Sequence, residues 1–577
     1  MYSYNDEYQR WVNLAKDAAL AAELEQIKGK QDEIEERFYN ELEFGTAGLR
    51  GIIGAGTNRM NIYVVRRATA GLARHLRTLE GAAGRGVAIA YDSRHMSAEF
   101  AKETALVLCS YGIKAYVFDT LHSVPQLSFA IRHWGCIAGV VITASHNPPE
   151  YNGYKVYGEH GGQVAPEQAN AILESIRLAD YFDTCAMDEN AAQEAGLLKY
   201  IGDETDEAYY MQTQKLLLHP GMLLKKGAEL KLVYTPLHGS GRVPVQTLLH
   251  RVGVTGLNTV AQQAEPDGRF PTVKAPNPED PDAFTLAIAL AEREGANVIL
   301  ATDPDADRLG AAVRDGAGCF HVLTGNQIGC LLLHYILSSK RENGTLPENG
   351  LVVKSLVSTR MADTICERFG VQLDYVPTGF RFISEKIDEC ERTGKHTFLF
   401  GFEESFGFLA GTVSRDKDAV CAAMLLAEAC AYYMERGRTL CDVLYSMYNE
   451  YGYHKESVKS YALYGKQGLE RIARVMQRLR DMPPKELGGI AVIAADDLLR
   501  SSHITIRKGH MCDIGMSGFD VLMYALEDGA WVCIRPSGTE PKLKLYAGAS
   551  AQSEKKVDEN LVELIASLNK LIGELMN

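Results

Sequence analysis

The sequence predicts an α/β protein built from several domains, and three observations carry this expectation. Four short, β-branched apolar runs each stop at a polar loop rich in Gly, Asp or Ser, which is how strands of α/β sheets end. A segment of helical pattern is expected after each loop. The chain also has 577 residues, too many for one hydrophobic core and enough for roughly three to five domains.

The runs are Val87 to Tyr91 before Asp92-Ser93-Arg94, Ile137 to Thr143 before Ala144-Ser145-His146, Val298 to Thr302 before Asp303-Pro304-Asp305, and Thr397 to Phe400 before Gly401-Phe402-Glu403-Glu404-Ser405. Ligands of open α/β sheets gather outside the carboxyl ends of the strands, so these loops are where chemistry is expected. The recurrence of strand, loop and helix suggests that several domains are alike. Ahead of them, residues 1–40 read as a helical lead-in. Later, Val420 to Met434 and Gly468 to Arg480 carry amphipathic helical patterns, the first with its charge on one side. Met482-Pro483-Pro484-Lys485 stops the second.

Composition excludes several classes. Hydrophobic residues make up 46% and charged residues 23% of the chain, the balance of a folded globular protein rather than a disordered or fibrous one. Asp and Glu number 74 against 60 Lys and Arg, a net charge of −14, which argues against a nucleic-acid partner. The amphipathic N-terminus has no basic region leading into an apolar run, and the longest apolar or small-residue stretch, Cys136 to Ala144, is too short to span a bilayer. Twelve scattered cysteines form no Cys-x-x-Cys pair. Reduced, mostly buried thiols and a soluble cytoplasmic protein, monomeric or dimeric, are expected.

The motifs narrow the chemistry. Thr143-Ala144-Ser145-His146-Asn147-Pro148 follows a buried strand, and Pro148 keeps helix from starting at once, so Ser145 is expected on a tight exposed loop as a nucleophile or phosphate carrier. His146 stands beside it, and Lys155 is available to neutralise added charge. In Asp303-Pro304-Asp305-Ala306-Asp307-Arg308, alternate carboxylates converge as hard oxygen ligands suited to Mg²⁺; the EF-hand glycine and glutamate are missing. Arg535-Pro536-Ser537-Gly538-Thr539-Glu540-Pro541 offers a guanidinium fork, hydroxyls and a small residue to phosphate oxygens. In Gly401-Phe402-Glu403-Glu404-Ser405-Phe406-Gly407, paired carboxylates and a hydroxyl suit sugar hydroxyls. Phe44 to Gly51 reads as a flexible glycine loop carrying Arg50 toward phosphate. No Gly-x-Ser-x-Gly elbow, P-loop or dinucleotide fingerprint is present.

Taken in order, FGTAGLRG, YDSR, TASHNPPEYNGYKVY, YTPLHGSG, PDGRFP with APNPE, DPDADR, LTGNQ, TGFRFI, GFEESFG, RDKDA and RPSGTEP resemble the motifs of the α-D-phosphohexomutase superfamily over nearly the whole chain. The likeness is to its bacterial-type phosphoglucomutase and phosphopentomutase-like branch. The resemblance implies four domains around a central cleft, three similar α/β domains and a smaller α+β one, divided at 1–205, 206–325, 326–455 and 456–577. It implies that Ser145 is the phosphoserine and, with Asp303, Asp305 and Asp307, part of a Mg²⁺ site. Thr378, Gly379 and Arg381 of TGFRFI, with Glu403 and Ser405, would meet the sugar, and Arg535, Ser537, Gly538 and Thr539 the phosphate that is not transferred. Arg50, His146, Lys155, Arg308 and Lys417 would line the reacting centre, without an assignment of acid or base. Arg381 stands where many relatives have lysine, and Phe402 where many glucose-type members have glycine.

The reaction implied is interconversion of glucose 1-phosphate and glucose 6-phosphate, with glucose 1,6-bisphosphate as intermediate and activator. Mannose or pentose phosphates are the alternative substrates. Less favoured are a Mg²⁺-dependent phosphatase using Asp303, which lacks the Thr or Val such enzymes carry where Asp307 stands, and a non-catalytic sugar-phosphate binding protein.

Overall fold

The computed structural model describes residues 3–45, 48–463, 465–506, 509–537 and 542–576. They form two compact units, residues 1–354 with 379–441 and residues 355–378 with 442–577.

The first unit is organised by sheets. One has the order β1-β5-β4-β2-β3-β6, from β1 (Gly48–Ile52), β2 (Val87–Tyr91), β3 (Ala115–Phe118), β4 (Ala138–Ile142), β5 (Tyr151–Gly158) and β6 (Leu198–Ile201). The next has the order β11-β10-β9-β7-β8, from β7 (Leu232–Thr235), β8 (Leu257–Thr259), β9 (Val298–Thr302), β10 (Leu309–Arg314) and β11 (Phe320–Val322). Strands β12 (Gly350–Ser355), β13 (Gln372–Val376), β14 (Thr397–Glu403) and β15 (Gly407–Ala410) follow; β13 falls in the second unit. Strand β14 pairs parallel with β12 and antiparallel with β15.

A single device recurs in all three sheets. A buried parallel strand (β4, β9 or β14) ends at a loop, and the chain returns antiparallel along the same strand as β5, β10 or β15. A helix was the expectation after each loop; it holds after Asp92-Ser93-Arg94, where Ser97–Ser110 is helical, and fails at the other three. The returning strands are mostly or wholly buried, with Val156, Leu309 and Phe408 inside, so hairpin pairing wins over helical pattern there. Strand β14 also continues three residues past Phe400, so Gly401, Phe402 and Glu403 lie on a strand and not in a loop. Likewise Arg50 sits on β1, opposite Gly153 of β5, rather than on a flexible loop. A side chain at Gly48 would meet the Tyr154 carbonyl oxygen at 2.0 Å, so glycine there serves close strand approach.

The lead-in is helical at Tyr4–Leu14, Ala18–Gln26 and Gln31–Phe38, and Trp11 packs against both Phe38 and Tyr63. The helix Ala419–Glu435 is buried almost all round instead of carrying its charge on a solvated side. Its Glu428 accepts hydrogen bonds from the Leu218 and His219 amides, which explains a carboxylate in a core helix.

The second unit holds a sheet of the order β16-β23-β22-β21-β18-β19-β20, from β16 (Tyr453–Ala462), β17 (Glu486–Leu487, paired to β18), β18 (Ile490–Asp497), β19 (Ser502–Thr505), β20 (His510–Asp513), β21 (Leu522–Leu526), β22 (Trp531–Pro536) and β23 (Lys542–Ala551). The helices Gly465–Asp481 and Glu554–Met576 cover its apolar side, and Leu356 and Val357 pack with Trp531 and Tyr546. Of the twelve cysteines nine are buried, and Cys185, Cys319 and Cys512 are exposed. Among the described residues no helix is long and apolar enough to cross a membrane.

Candidate active site

The loop between β4 and β5 carries Ser145. Its backbone lies in the left-handed region, with φ 51°, and its amide donates to Thr143 Oγ1 at 2.8 Å. The hydroxyl donates to Asp303 Oδ2 at 2.8 Å and lies 3.2 Å from His146 Nδ1. The expected exposed loop is not found: Ser145 is 3% accessible, because the Asp303 loop of the neighbouring sheet lies against it. Burial, then the Arg308 and Arg50 charges, push the His146 imidazole well below its ordinary range, so it is neutral at neutral pH.

The Asp303 loop places Ala306 in the same left-handed region, with φ 51°, and folds back so that Asp303 Oδ1 accepts the amides of Asp307 and Arg308. Asp303, Asp305 and Asp307 are buried, and one oxygen from each lies within 4.8 Å of the others. Thr143 Oγ1 reaches Asp92 Oδ2 at 2.7 Å and Asp305 Oδ2 at 3.2 Å, so this hydroxyl touches both loops. Two lysines face the three carboxylates: Lys155 Nζ is 2.9 Å from Asp305, and Lys417 Nζ is 3.1 Å from Asp307. Burial tends to raise Asp305, but Lys155 and a hydrogen bond shared with Asp303 hold it below the usual carboxylate range. Burial and the two neighbouring carboxylates push Asp303 well up. Asp305 Oδ1 and Asp307 Oδ1 are buried without a hydrogen-bond partner. Such orphaned carboxylate oxygens, converging from one loop, fit a hard divalent cation.

Lys417 is fixed by Asp416, whose Oδ1 lies 2.9 Å from Nζ; Asp416 Oδ2 accepts from Tyr157 Oη at 3.0 Å and Gln163 Nε2 at 2.9 Å. Burial opposes the charge on Lys417, but Asp307, Asp416 and Glu403 hold its pKa above the ordinary lysine value, so it acts as a fixed cation. Arg50 donates to Asn147 Oδ1 at 3.0 Å in the serine loop, and Arg308 pairs with Glu279 of APNPE. The third loop joins the second by backbone: Leu309 donates to the Phe406 carbonyl at 3.1 Å, and Arg308 and Gly407 form a β-bridge. Phe406 repeats the left-handed turn with φ 63°.

Glu403 accepts the Gly379 amide at 2.7 Å, and burial, then the Glu404 charge, push its carboxyl up to about 7. Arg381 opens the helix Arg381–Thr393 with its guanidinium over the Phe382 ring, and Ser405 is half-buried in the turn after β14. The structure therefore brings Arg50, Ser145, His146, Lys155, Asp303, Asp305, Asp307, Arg308, Glu403 and Lys417 together in the first unit. Thr378, Arg535 and Ser537 belong to the second unit; Arg535 lies on β22, and the Ser537 amide donates to the Lys542 carbonyl at 2.7 Å. Gly538 and Thr539 lie outside the described residues.

Sequence reasoning missed Thr143, Tyr157, Gln163 and Asp416 as parts of this site. Three of them stand inside TASHNPPEYNGYKVY and RDKDA, where a polar residue next to a candidate lysine or serine was the available signal. Gln163 has no such signal, since only the fold brings it to Asp416.

Four models of the phosphoglucomutase/phosphomannomutase family match the chain in order: alpha/beta/alpha domain I at residues 41–181, domain II at 209–316, domain III at 324–451 and the C-terminal domain at 509–564. The phosphoglucomutase of Staphylococcus aureus strain MSSA476 is 35% identical over 562 residues, covering 96% of this chain and 98% of its own. Two solved structures share the fold. A putative phosphomannomutase from Thermus thermophilus has a TM-score of 0.67 at 23% identity, over 92% of this chain and 99% of that one. The Paramecium pp63/parafusin phosphoglucomutase, in an open form, has a TM-score of 0.67 at 17% identity, over 93% and 95%.

Proposed function

The chain belongs to the phosphoglucomutase/phosphomannomutase family, and from that premise we propose that it interconverts glucose 1-phosphate and glucose 6-phosphate through a phosphorylated Ser145. The observation that carries this reading is Ser145 Oγ at 2.8 Å from Asp303 Oδ2, a nucleophile from one sheet set against the carboxylate cluster of another. In the forward step the bond from phosphorus to Ser145 Oγ breaks as one forms to the free hydroxyl of the hexose phosphate. That hydroxyl gives up its proton, and Ser145 Oγ takes one. His146, neutral and 3.2 Å away, is placed to exchange this proton with Ser145. The glucose 1,6-bisphosphate so formed turns over, and its other phosphoryl group returns to Ser145.

The chain's own work is charge and position. Lys155, Lys417, Arg50 and Arg308 surround the transferring group with fixed positive charge. Glu403, anchored by the Gly379 amide, accepts a sugar hydroxyl beside Ser405 and Arg381. Arg535, Ser537, Gly538 and Thr539 hold the phosphate that is not transferred, with Thr378 nearby in sequence to Gly379 and Arg381. Mg²⁺ held by Asp303, Asp305, Asp307 and the phosphorylated Ser145 would supply Lewis-acid stabilisation of the transferring phosphoryl. Soluble sugar phosphates are the only partners this chemistry needs, and a cytoplasmic setting suits them and the mostly buried cysteines.

The test is conversion of glucose 1-phosphate with Mg²⁺ and a trace of glucose 1,6-bisphosphate, beside mannose 1-phosphate and ribose 1-phosphate. Turnover is expected to be greatest on glucose 1-phosphate and to vanish with chelator and in Ser145→Ala. A folded protein phosphorylated at Ser145 that turns over none of the three would refute the reading.

A further inference from the structure

Arg94 lies in the YDSR turn after β2, on the first sheet but on a different strand from the serine loop. Its side chain is fully buried. Both terminal nitrogens are committed to carbonyl oxygens of the serine loop. Nη1 donates to Pro148 at 2.8 Å and Tyr151 at 3.0 Å, and Nη2 donates to Ser145 and Asn147. All four terminal N–H bonds of the fork are thereby used on four carbonyls spanning seven residues. The loop they gather is the one that holds Ser145 at φ 51°, a region non-glycine side chains enter at a cost.

Two further contacts fix the guanidinium itself. Asp92 Oδ2 lies 3.3 Å from Nε, and the Phe270 ring, from the domain of the metal loop, lies 5.0 Å from Cζ. The segment around Phe270 closes tightly over this turn, since a side chain at Gly268 would meet the His95 amide nitrogen at 2.6 Å and the Ser93 carbonyl oxygen at 2.8 Å. This segment packs over the turn, and Arg94 is the charged donor that binds all four carbonyls. A lysine has the charge but not a planar fork able to reach four acceptors at once.

We propose that Arg94 is the positioning residue of the phosphoryl-transfer step: by binding the carbonyls of Ser145, Asn147, Pro148 and Tyr151 it aims Ser145 Oγ at the carboxylate cluster without touching substrate. The inference rests on the mutase reading above, and its test separates the two. Intact mass after exposure to glucose 1,6-bisphosphate reports phosphate on Ser145, and wild-type protein that takes none refutes the mutase reading whatever Arg94 does. In wild-type background that does take phosphate, Arg94→Lys is expected to lower kcat by about 100-fold, the scale of a misplacement near 1 Å. The KM for glucose 1-phosphate should change less than about threefold, since substrate is not held by Arg94. In Arg94→Ala, millimolar guanidinium should restore part of kcat and methylammonium should not. A kcat for Arg94→Lys within about threefold of wild type overturns the proposal. So does a folded Arg94→Ala that guanidinium fails to rescue. Should Arg94→Ala not fold, the lysine variant alone decides, and a parallel loss of kcat, KM and thermal midpoint there would assign Arg94 a structural role only.

Discussion

After β4 and after β9 the backbone does the same thing: it leaves a buried parallel strand, turns one non-glycine residue into the left-handed region, and returns antiparallel. What surrounds the two turns is opposite. The serine loop presents neutral oxygens, its carbonyls and a hydroxyl, and is held by a buried cation, Arg94. The metal loop presents three buried carboxylates and is held by two lysines, and the crowding of the carboxylates helps push Asp303 up. The lesson is that one backbone solution serves two chemistries, with side chains from other strands deciding which. The first loop joins one buried cation to neutral acceptors, while the second crowds three carboxylates together.

Breaking a lysine pair in the metal loop should have the largest effect. Asp305→Asn leaves Lys155 facing a neutral amide in a buried site, and losing one partner of a buried pair costs about 3–5 kcal/mol. A fall of that size in chemical-denaturation stability, together with lost turnover, is expected; full stability would mean the loop is not charge-held. The next effect comes from behind the loop. Asp418 caps the helix Ala419–Glu435, whose first amide reaches the Ala306 carbonyl, and burial raises its pKa from 3.8 to about 6. The stability tied to its protonated form is present below the ordinary carboxylate pKa and is lost as pH rises through about 6. Asp418→Asn should therefore gain on wild type by up to about 3 kcal/mol between acidic and neutral pH, read from paired unfolding curves. A difference independent of pH would assign the residue to capping alone.

The Thr143 hydroxyl is one of two that join the loops, the other being that of Ser145, so Thr143→Val should loosen their coupling. Removing a buried donor that also accepts the Ser145 amide costs about 1–3 kcal/mol. Because the same group orients Ser145, kcat should drop more than KM rises. The smallest effect is the sharpest discriminator. Asp303→Asn relieves the crowding of three carboxylates, so the thermal midpoint measured in chelator should stay level or rise, while turnover measured with Mg²⁺ disappears. A destabilised Asp303→Asn protein would show that the three carboxylates are balanced without a cation.

Much of this was legible in the sequence for a physical reason. Serine, alternating aspartates and paired glutamates carry their chemistry in the residue type, and each followed an apolar β-branched run that had to be a strand. What was not legible are the acceptors and the partners. The carbonyls that bind Arg94 have no residue identity, and Gln163 reaches Asp416 only once the fold is made. The depth of Ser145 was misjudged for the same reason. A short polar loop reads as exposed until another sheet is laid on it. Helical pattern also misled after three of the four loops, because apolar residues in a short returning strand and in a buried helix look alike until pairing is known.

Burial has also sorted the thiols into accessible and shielded sets. Cys185 and Cys319 stand exposed in the first unit and Cys512 in the second, while the other nine are shielded. With Cys185→Ser, the chain would carry one addressable sulfur on each unit, neither of them a site residue. A fluorophore pair attached there could follow both bodies of a single working molecule through its catalytic cycle, using handles the protein already owns.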